Sequence, residues 1–185
     1  MEIIKTSIEG LIIIKPQVYM DERGYFMESF QELFINQNFH PIKFIQDNES
    51  KSYYGVLRGL HFQQPPFEQT KLVRVIKGKV LDVAVDLRKC SPTFGSYEKV
   101  ILSDENKKQF FIPKGFAHGF VVLSEEAIVS YKVDNIYEPN YDSGIHYEDI
   151  NLNIDWEISK NEIKVSPKDS IQPSFLEFCD RFKNK

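Results

Sequence analysis

His61 lies in the stretch GVLRGLHFQQPP, residues 55–66, which has the composition of a β-strand that ends at two prolines. An imidazole can take up a proton as a general base, ligate a metal ion, or serve as a hydrogen-bonded structural group. A single histidine in a strand, taken alone, favours the structural interpretation. The chemistry of His61 therefore depends on which other side chains the fold brings to it.

Four further residues could act with His61, and each has a structural alternative. Lys71 follows a proline-containing loop and would lie beside His61 if the strands on either side of that loop pair as neighbours. Such pairing would place a fixed cation next to a potential base. Tyr131 and Tyr137 flank a predicted strand end, and His118 begins a predicted strand after FFIPKGF, but aromatic residues at such places often only pack their rings.

Two short motifs have the sequences of ordinary turns. In SPKD, Ser166, Pro167 and Asp169 match the cap, the first residue and the acidic third residue of a helix start. DERG, residues 21–24, matches a turn in which the glycine takes a positive φ. Spacing alone therefore assigns no function to Asp169 or to Arg23.

The histidines do not have the spacing of a metal site. They are His40, His61, His118 and His146, and no two of them are two or four residues apart, as a chelate on one strand or one helix requires. The sequence also lacks G-x-S-x-G, a phosphate-binding glycine loop and G-x-G-x-x-G. We therefore predict no metal site and no nucleotide-cofactor fold.

Strand signals dominate the elements that must position these residues. Short runs of Val, Ile, Phe and Tyr between Gly, Pro, Asn and Asp fill residues 11–133 and predict an all-β sandwich or barrel. The run KLVRVIKGKVLDVAVDL, residues 71–87, predicts a long hairpin with a turn at Lys77 and Gly78 and one buried face. Helical spacing of apolar residues occurs only at 30–37 and 175–182, so we predict short helices flanking a β core.

Composition limits the class of protein. A chain of 185 residues, 42% of them hydrophobic, can bury one core, and no linker or repeat divides it, so we expect a single domain over residues 1–185. The apolar runs are too short to span a bilayer and the N-terminus lacks a signal-peptide pattern, so we expect a soluble, cytoplasmic protein. A net charge of −4 without basic clusters argues against a nucleic-acid partner but permits a phosphorylated small ligand.

A series of segments in fixed order carries a family resemblance from about residue 10 to residue 170. They are DERGYFMESF, FIQDNESKS, GVLRGLHFQ, KLVRVIKGKVLDVAVDLRKCSPTFG, LSDEN, IPKGFAHGFVVLSEEA, YKVDNIYEP and SPKD. Together they resemble the dTDP-4-dehydrorhamnose 3,5-epimerases of the cupin superfamily. The resemblance implies an all-β fold, a cupin-type double-stranded β-helix (jelly roll) with short flanking helices, forming one cupin-like epimerase domain.

The cupin motifs bear on the metal question. PKGFAH resembles the second cupin motif, but the metal-binding His-x-His of the first motif is absent, because Gln63 stands two residues after His61. The resemblance and the histidine spacing therefore agree on a cavity used for acid-base chemistry without a metal. No redox step is implied, so no organic cofactor is expected.

The resemblance implies a reaction and roles for four residues. Family substrates are dTDP-linked 6-deoxyhexoses with a ketone at C4, which acidifies the hydrogens on C3 and C5 because the resulting carbanion becomes an enolate. By similarity His61 is the base and Asp169 its orienting carboxylate. Lys71 would stabilise the enolate, and Tyr131 would return a proton to the opposite face.

The resemblance also implies a set of substrate-binding residues, namely Arg23, Phe26, Glu28, Gln46, Asn48, Arg58, His118, Tyr137 and Asp142. Asp142 stands where the family usually has Glu, and Tyr147 where it usually has Trp. Arg58, three residues before His61, would face away from it on a regular strand. Either Gly59 breaks the alternation, or Arg58 and His61 serve different parts of an extended ligand.

The implied activity is the conversion of dTDP-4-dehydro-6-deoxy-D-glucose to dTDP-4-dehydro-L-rhamnose, in dTDP-L-rhamnose biosynthesis for cell-surface polysaccharide. The resemblance implies a homodimer in which the N-terminal strand region, including DERGYF, completes the other subunit's pocket. Two alternatives stay open: an epimerase acting only at C3 or C5 of a related nucleotide-linked 4-keto-6-deoxy sugar, and a non-catalytic sugar-nucleotide-binding cupin. The presence of all four catalytic residues counts against the second alternative.

Overall fold

A computed structural model describes residues 1–39 and 41–183, so His40, one of the histidines considered as a metal ligand, lies outside the described residues. Thirteen strands form the described fold. They are β1 (Glu2–Lys5), β2 (Ile12–Lys15), β3 (Val18–Asp21), β4 (Gly24–Met27), β5 (Gln46–Tyr53), β6 (Leu57–Gln63), β7 (Lys71–Lys77), β8 (Lys79–Asp86), β9 (Tyr97–Ser103), β10 (Gln109–Ile112), β11 (Phe116–Val122), β12 (Glu126–Val133) and β13 (Asp142–Gly144).

The strands form two antiparallel sheets and a separate hairpin. The first sheet has the order β1-β2-β10-β7-β12-β5, the second has the order β13-β6-β11-β8-β9, and β3 and β4 form a two-stranded sheet. The buried cluster that contains Val73 and Val129 from the first sheet and Val80 and Phe120 from the second lies between them. This arrangement confirms the predicted all-β fold, a jelly roll closed over one apolar interior.

Two short helices flank the sheets, as predicted. Helix α1 spans Glu32–Asn38 and helix α2 spans Phe175–Lys183. Phe30 precedes α1 and packs edge-on against Phe44, with ring centroids 5.7 Å apart. The apolar spacing therefore located both helices, although the first begins two residues after Phe30. No helix within residues 1–39 and 41–183 has the length and apolar character needed to cross a membrane.

The prediction of a long hairpin over residues 71–87 is wrong. β7 pairs with β10 and β12 in the first sheet, whereas β8 pairs with β11 and β9 in the second. The chain turns between the sheets at Gly78, whose φ is +80°, a backbone conformation that favours glycine. β8 is also buried on both faces, because its outward-facing Val83 packs in a second apolar cluster with Trp156 and Phe178.

This second cluster determines where the C-terminal part of the chain lies. Residues 145–179 cover the outer face of the second sheet through apolar contacts to Leu81, Val83 and Val85. A parallel bridge between Val56 and Lys164 then joins this segment to the chain just before β6. Asp169, in a short 3-10 helix of residues 169–171, is thereby placed beside β6, the strand that carries His61.

Candidate active site

A cavity of about 520 Å³ opens between the two sheets and contains most of the predicted site. The four residues predicted to be catalytic, His61, Lys71, Tyr131 and Asp169, all line it. So do four of the nine predicted substrate-binding residues, namely Arg58, His118, Tyr137 and Asp142. These side chains come from both sheets and from the C-terminal segment, so only the closed fold brings them together.

His61 and Asp169 form a hydrogen-bonded pair in this cavity. The Nε2 atom of His61 lies 2.6 Å from Oδ1 of Asp169, and the aspartate side chain is only 4% exposed. Burial raises the pKa of the Asp169 carboxyl, but the bond and charge of His61, with hydrogen bonds from Gly59 and Ser166, outweigh burial and leave that pKa below its usual value. An ionised carboxylate only accepts, so Nε2 carries the proton and Nδ1 keeps the lone pair of a base.

Arg58 and His61 both line the cavity because β6 contains a bulge. Opposite β6, His118 faces His61 while Phe120 faces Arg58, so three residues along β6 match two along β11. Gly59 takes a φ of +140° at the bulge. The position that a Cβ of residue 59 would occupy is filled by the backbone of Gly119. The alternation is broken at Gly59, which resolves the geometric difficulty that the sequence raised. Arg58 Nε donates to Ser52 Oγ at 2.9 Å.

Replacing Gly59 with alanine is expected to destabilise the fold by roughly 3 kcal/mol or more. The added Cβ would lie 2.5 Å from the Cα of Gly119 and 3.1 Å from the carbonyl oxygen of His118, so two paired strands must separate. Gly24→Ala is the matched control, since Gly24 also has a positive φ but a Cβ there meets nothing within 4 Å. Urea unfolding measures the free energy of unfolding of both variants. If Gly59→Ala is as stable as Gly24→Ala, the predicted clash is contradicted.

Lys71 lies across the cavity from His61 rather than beside it on a paired strand. The premise that the two strands pair is wrong, because β6 and β7 belong to different sheets. Burial lowers the pKa of Lys71 to about 8, and the charges of Asp82 and Asp142 oppose that fall. The ammonium is therefore a desolvated charge, which interacts more strongly with a nearby anion than it would in water.

Tyr131 occupies the wall opposite to His61. It lies on β12 of the first sheet, whereas His61 lies on β6 of the second. Burial raises the pKa of the Tyr131 phenol, although the charge of Arg58 partly opposes this rise. The phenol therefore keeps its proton at neutral pH and can serve as a proton donor.

Three side chains near the cavity mouth form a polar group. The Tyr137 hydroxyl donates to Oδ2 of Asp142 at 3.0 Å, and the Lys168 ammonium forms an ion pair with the same oxygen. The hydrogen bond from Lys168 to Asp142 and the charge of Asp142 raise the pKa of Lys168. Sequence reasoning did not single out Lys168, although it stands next to Asp169 in SPKD. Asp142, the departure from the family pattern, thus contacts two other cavity residues.

Five predicted binding residues do not line the cavity of this chain. Arg23, Phe26 and Glu28 belong to the β3–β4 hairpin and the residue after it, where Arg23 Nε donates to Asp21 at 3.1 Å and Phe26 is 66% exposed. Gln46 and Asn48 lie on β5, the edge strand of the first sheet, with Gln46 donating to Asn48 at 2.8 Å.

The strand register places Asn48 next to a residue of the cavity wall, and Gln46 two positions before it on the same strand. Asn48 is directly opposite Tyr131 and therefore shares its face of the sheet. Tyr147, the other departure from the family pattern, stacks on His146 with ring centroids 4.9 Å apart, outside the cavity lining.

The position where a cupin metal ligand would stand is used for structure. Gln63 donates from Nε2 to the carbonyls of Phe67 and Ile136 at 2.6 and 2.9 Å and accepts the backbone N–H of Glu138 at 2.7 Å. Its polar atoms thus hold the surrounding loops together. Within residues 1–39 and 41–183, no three His, Cys, Asp or Glu side chains are grouped as a metal site requires.

The cavity has the acid-base residues that the sequence resemblance implied, and comparison with known proteins identifies the family. Residues 5–177 match the family model of dTDP-4-dehydrorhamnose 3,5-epimerase. The chain belongs to this epimerase family. A family member from Methanothermobacter thermautotrophicus, a dTDP-4-dehydrorhamnose 3,5-epimerase, is 56% identical over 167 residues, which cover 90% of each chain.

Two solved structures of epimerases extend the comparison. A dTDP-6-deoxy-D-glucose-3,5-epimerase from Legionella pneumophila, solved in complex with dTDP-4-keto-L-rhamnose, is 50% identical with a TM-score of 0.89 and covers 94% of this chain and 92% of its own. A 3'-monoepimerase from Streptomyces bikiniensis, solved with dTDP-quinovose, is 31% identical with a TM-score of 0.87, covering 96% and 89%. The epimerase fold is thus shared by relatives that act at two centres and by one that acts at a single centre.

Proposed function

We propose that this protein is a dTDP-4-dehydrorhamnose 3,5-epimerase that converts dTDP-4-dehydro-6-deoxy-D-glucose into dTDP-4-dehydro-L-rhamnose. The observation that carries this proposal is the location of the His61–Asp169 pair and the Tyr131 phenol on opposite walls of one cavity, with the Lys71 ammonium between the sheets. Epimerisation through an enolate requires a base on one face of the sugar, an acid on the other and a cation at the ketone oxygen.

His61 starts each half-reaction by removing the proton from C5 or C3. The electron pair of the broken C–H bond moves into the C4 carbonyl and forms an enolate. Asp169 stabilises the imidazolium that results, because its carboxylate already accepts a hydrogen bond from Nε2, with Oδ1 2.6 Å from Nε2. The imidazolium then releases its extra proton to solvent, which regenerates the base.

Lys71 and Tyr131 complete each inversion. The Lys71 ammonium stabilises the negative charge that develops on the C4 oxygen, and it is already in place before the charge forms. Tyr131 then donates its phenolic proton to the same carbon from the opposite wall. Solvent returns a proton to the phenolate. Atoms and charge balance without an oxidant, reductant or metal, so we propose that no cofactor takes part.

The remaining predicted residues would bind the dTDP moiety. Arg58 and Lys168 supply cations for the diphosphate, and the guanidinium of Arg58 can donate two hydrogen bonds at once. Tyr137, half exposed near the mouth, offers a ring on which a base can stack. His118 and Asp142 complete the binding residues within this chain, together with Gln46 and Asn48 on β5.

We propose that the β3–β4 hairpin serves the cavity of a second copy of the chain in a homodimer. Arg23, Phe26 and Glu28 lie outside the cavity of their own chain, and the hairpin exposes large apolar side chains, among them Met20 at 73%. Such a surface is typical of an interface. Light scattering in solution tests the proposal, since a monomer would contradict it.

We also propose a cytoplasmic location and a role in supplying dTDP-L-rhamnose for cell-surface polysaccharide.

The decisive test is incubation with dTDP-4-keto-6-deoxyglucose in D₂O, with deuterium located by NMR and mass spectrometry. Deuterium at both C3 and C5, with inversion at both, is the expected result. Incorporation at only one carbon would instead assign a mono-epimerase, the activity of the Streptomyces relative. Binding without exchange at either carbon would refute catalysis and leave the non-catalytic cupin.

A further inference from the structure

Asp82 is a buried carboxylate behind the wall of the active-site cavity. It lies in the middle of β8 and is 0% exposed. Its neighbours across the sheet are Val100 on β9 and Phe120 on β11, and all three face the apolar interior. An ionised carboxylate in such surroundings is costly unless it is hydrogen-bonded and its charge is compensated.

The hydrogen-bonding partner of Asp82 is His118. Nε2 of His118 lies 2.9 and 3.1 Å from the two carboxylate oxygens. His118 is opposite Ala84 on β8, one inward-facing position from Asp82, so the register of the strands sets this contact. Because a carboxylate accepts, the proton lies on Nε2 and the lone pair is on Nδ1.

A neutral His118 cannot compensate the charge of Asp82. Burial lowers the pKa of His118, the charge of Asp82 opposes this fall, and the charges of Lys71 and His61 add to it. His118 is therefore neutral at pH 7. Lys71 is a cation on which the charge of Asp82 acts, since the charges of Asp82 and Asp142 both favour its protonated form. Asp82, His118 and Lys71 together form a group with no net charge.

We propose that Asp82 is a positioning residue, which fixes His118 with its proton on Nε2 and holds the positive charge of Lys71 in the cavity. This inference rests on the proposed function, because it assigns Lys71 the charge that the enolate requires. Asp82 does not contact the substrate, since it lies behind His118 and does not line the cavity. Sequence analysis missed it because an acid within a buried apolar strand is easily interpreted as a structural residue, as Asp86 on the same strand is.

The other ionisable groups around Lys71 belong to several elements. Those in the active-site cavity are Glu49, Arg58, His61, His118, Tyr131, Tyr137, Asp142, Lys164, Lys168 and Asp169. Glu68 and Lys89 line an adjoining cavity together with Lys71. Tyr131 has a raised pKa, so it stays protonated while Lys71 titrates near pH 8. The basic limb of the kcat/KM profile therefore reports the loss of charge from Lys71.

Asp82→Asn tests the charge while keeping an oxygen that accepts from Nε2 of His118. We expect the basic limb of kcat/KM to move to lower pH by about one unit or more, with activity near that of the parent on the acid side. The same shift is expected in the titration of the Lys71 ¹³Cε signal by NMR, which needs no turnover. Asp82→Ala also removes the acceptor, so it should lose activity on the acid side as well.

Asp86→Asn is the matched control, because Asp86 lies on the same strand and its side chain is also 0% exposed. Its carboxylate accepts from Arg88, Ser91 and Thr93, away from the cavity. We expect this variant to lose stability and to keep the parental pH profile. An equal shift of the basic limb in both variants would overturn the inference. It would show that removing any buried negative charge from this strand has the same effect.

Two results would overturn the assignment of Asp82. One is a folded Asp82→Asn protein with an unshifted Lys71 titration. The other, which needs no variant, is an ¹⁵N spectrum of the parent at pH 7 that shows His118 protonated on Nδ1. Absence of deuterium exchange in the parent would refute the proposed function instead, and the Lys71 titration would still test Asp82.

Discussion

His61→Ala is expected to lose deuterium exchange at both C3 and C5, with a fall in rate on the order of 10³-fold. In the proposed mechanism the imidazole is the base in both half-reactions, and Asp169 cannot replace it because its carboxylate is 4% exposed and lies behind the ring. The loss must therefore be equal at the two carbons. NMR in D₂O measures both rates in one sample, and circular dichroism checks that the variant folds.

His146→Ala is the control for the loss of an imidazole. His146 stacks on Tyr147 and accepts the backbone N–H of Glu148 at its Nδ1, outside the cavity lining. We expect exchange at the parental rate in this variant. Exchange at the parental rate in folded His61→Ala would show that another group is the base, and loss at only one carbon would show that two bases act.

Tyr131→Phe is expected to separate proton exchange from inversion. His61, Asp169 and Lys71 stay in place, so the enolate still forms and the base can return a deuteron to the face from which the proton left. Without the phenol there is no donor on the opposite wall, so epimerised product should fall by roughly 10²- to 10⁴-fold. The expected product is therefore distinctive, because it carries deuterium at C3 and C5 and keeps the configuration of the substrate.

Tyr97→Phe is the matched control, because Tyr97 is also half-buried but its hydroxyl lies 3.4 Å from the carbonyl of Asn153, away from the cavity. We expect parental rates of exchange and inversion there. If Tyr131→Phe loses exchange and inversion together, the phenol acts before the enolate forms, and its role as the final acid is wrong. Comparison of the two rates by NMR decides between these results.

The pairing of Arg58 with His61 shows where reasoning from the sequence ends. Strand alternation placed them on opposite faces, and Gly59 was one of two explanations that the sequence left open. The structure puts them in the same cavity because the bulge at Gly59 fits against Gly119 on a strand some 60 residues away in the chain. No local pattern contains a contact of that range.

The error over residues 71–87 has a similar origin. Local alternation correctly identified two strands and the turn at Gly78, but a hairpin and a crossover between sheets begin with the same pattern. The structure has the crossover: β7 pairs with β10 and β12, and β8 lies in the other sheet with its outer face covered by Trp156 and Phe178. Lys71 therefore approaches His61 across the interior instead of along a shared edge, and both still line one cavity.

The sequence by itself determined the chemistry that is available, because residue type decides what a side chain can do. A histidine, a lysine, a tyrosine and an aspartate in family-like motifs were enough to infer proton transfer beside a ketone. Tertiary structure decided which wall each group occupies and which protonation state it holds. Those properties follow from burial and from charges brought close by distant strands, as with Asp82 behind His118.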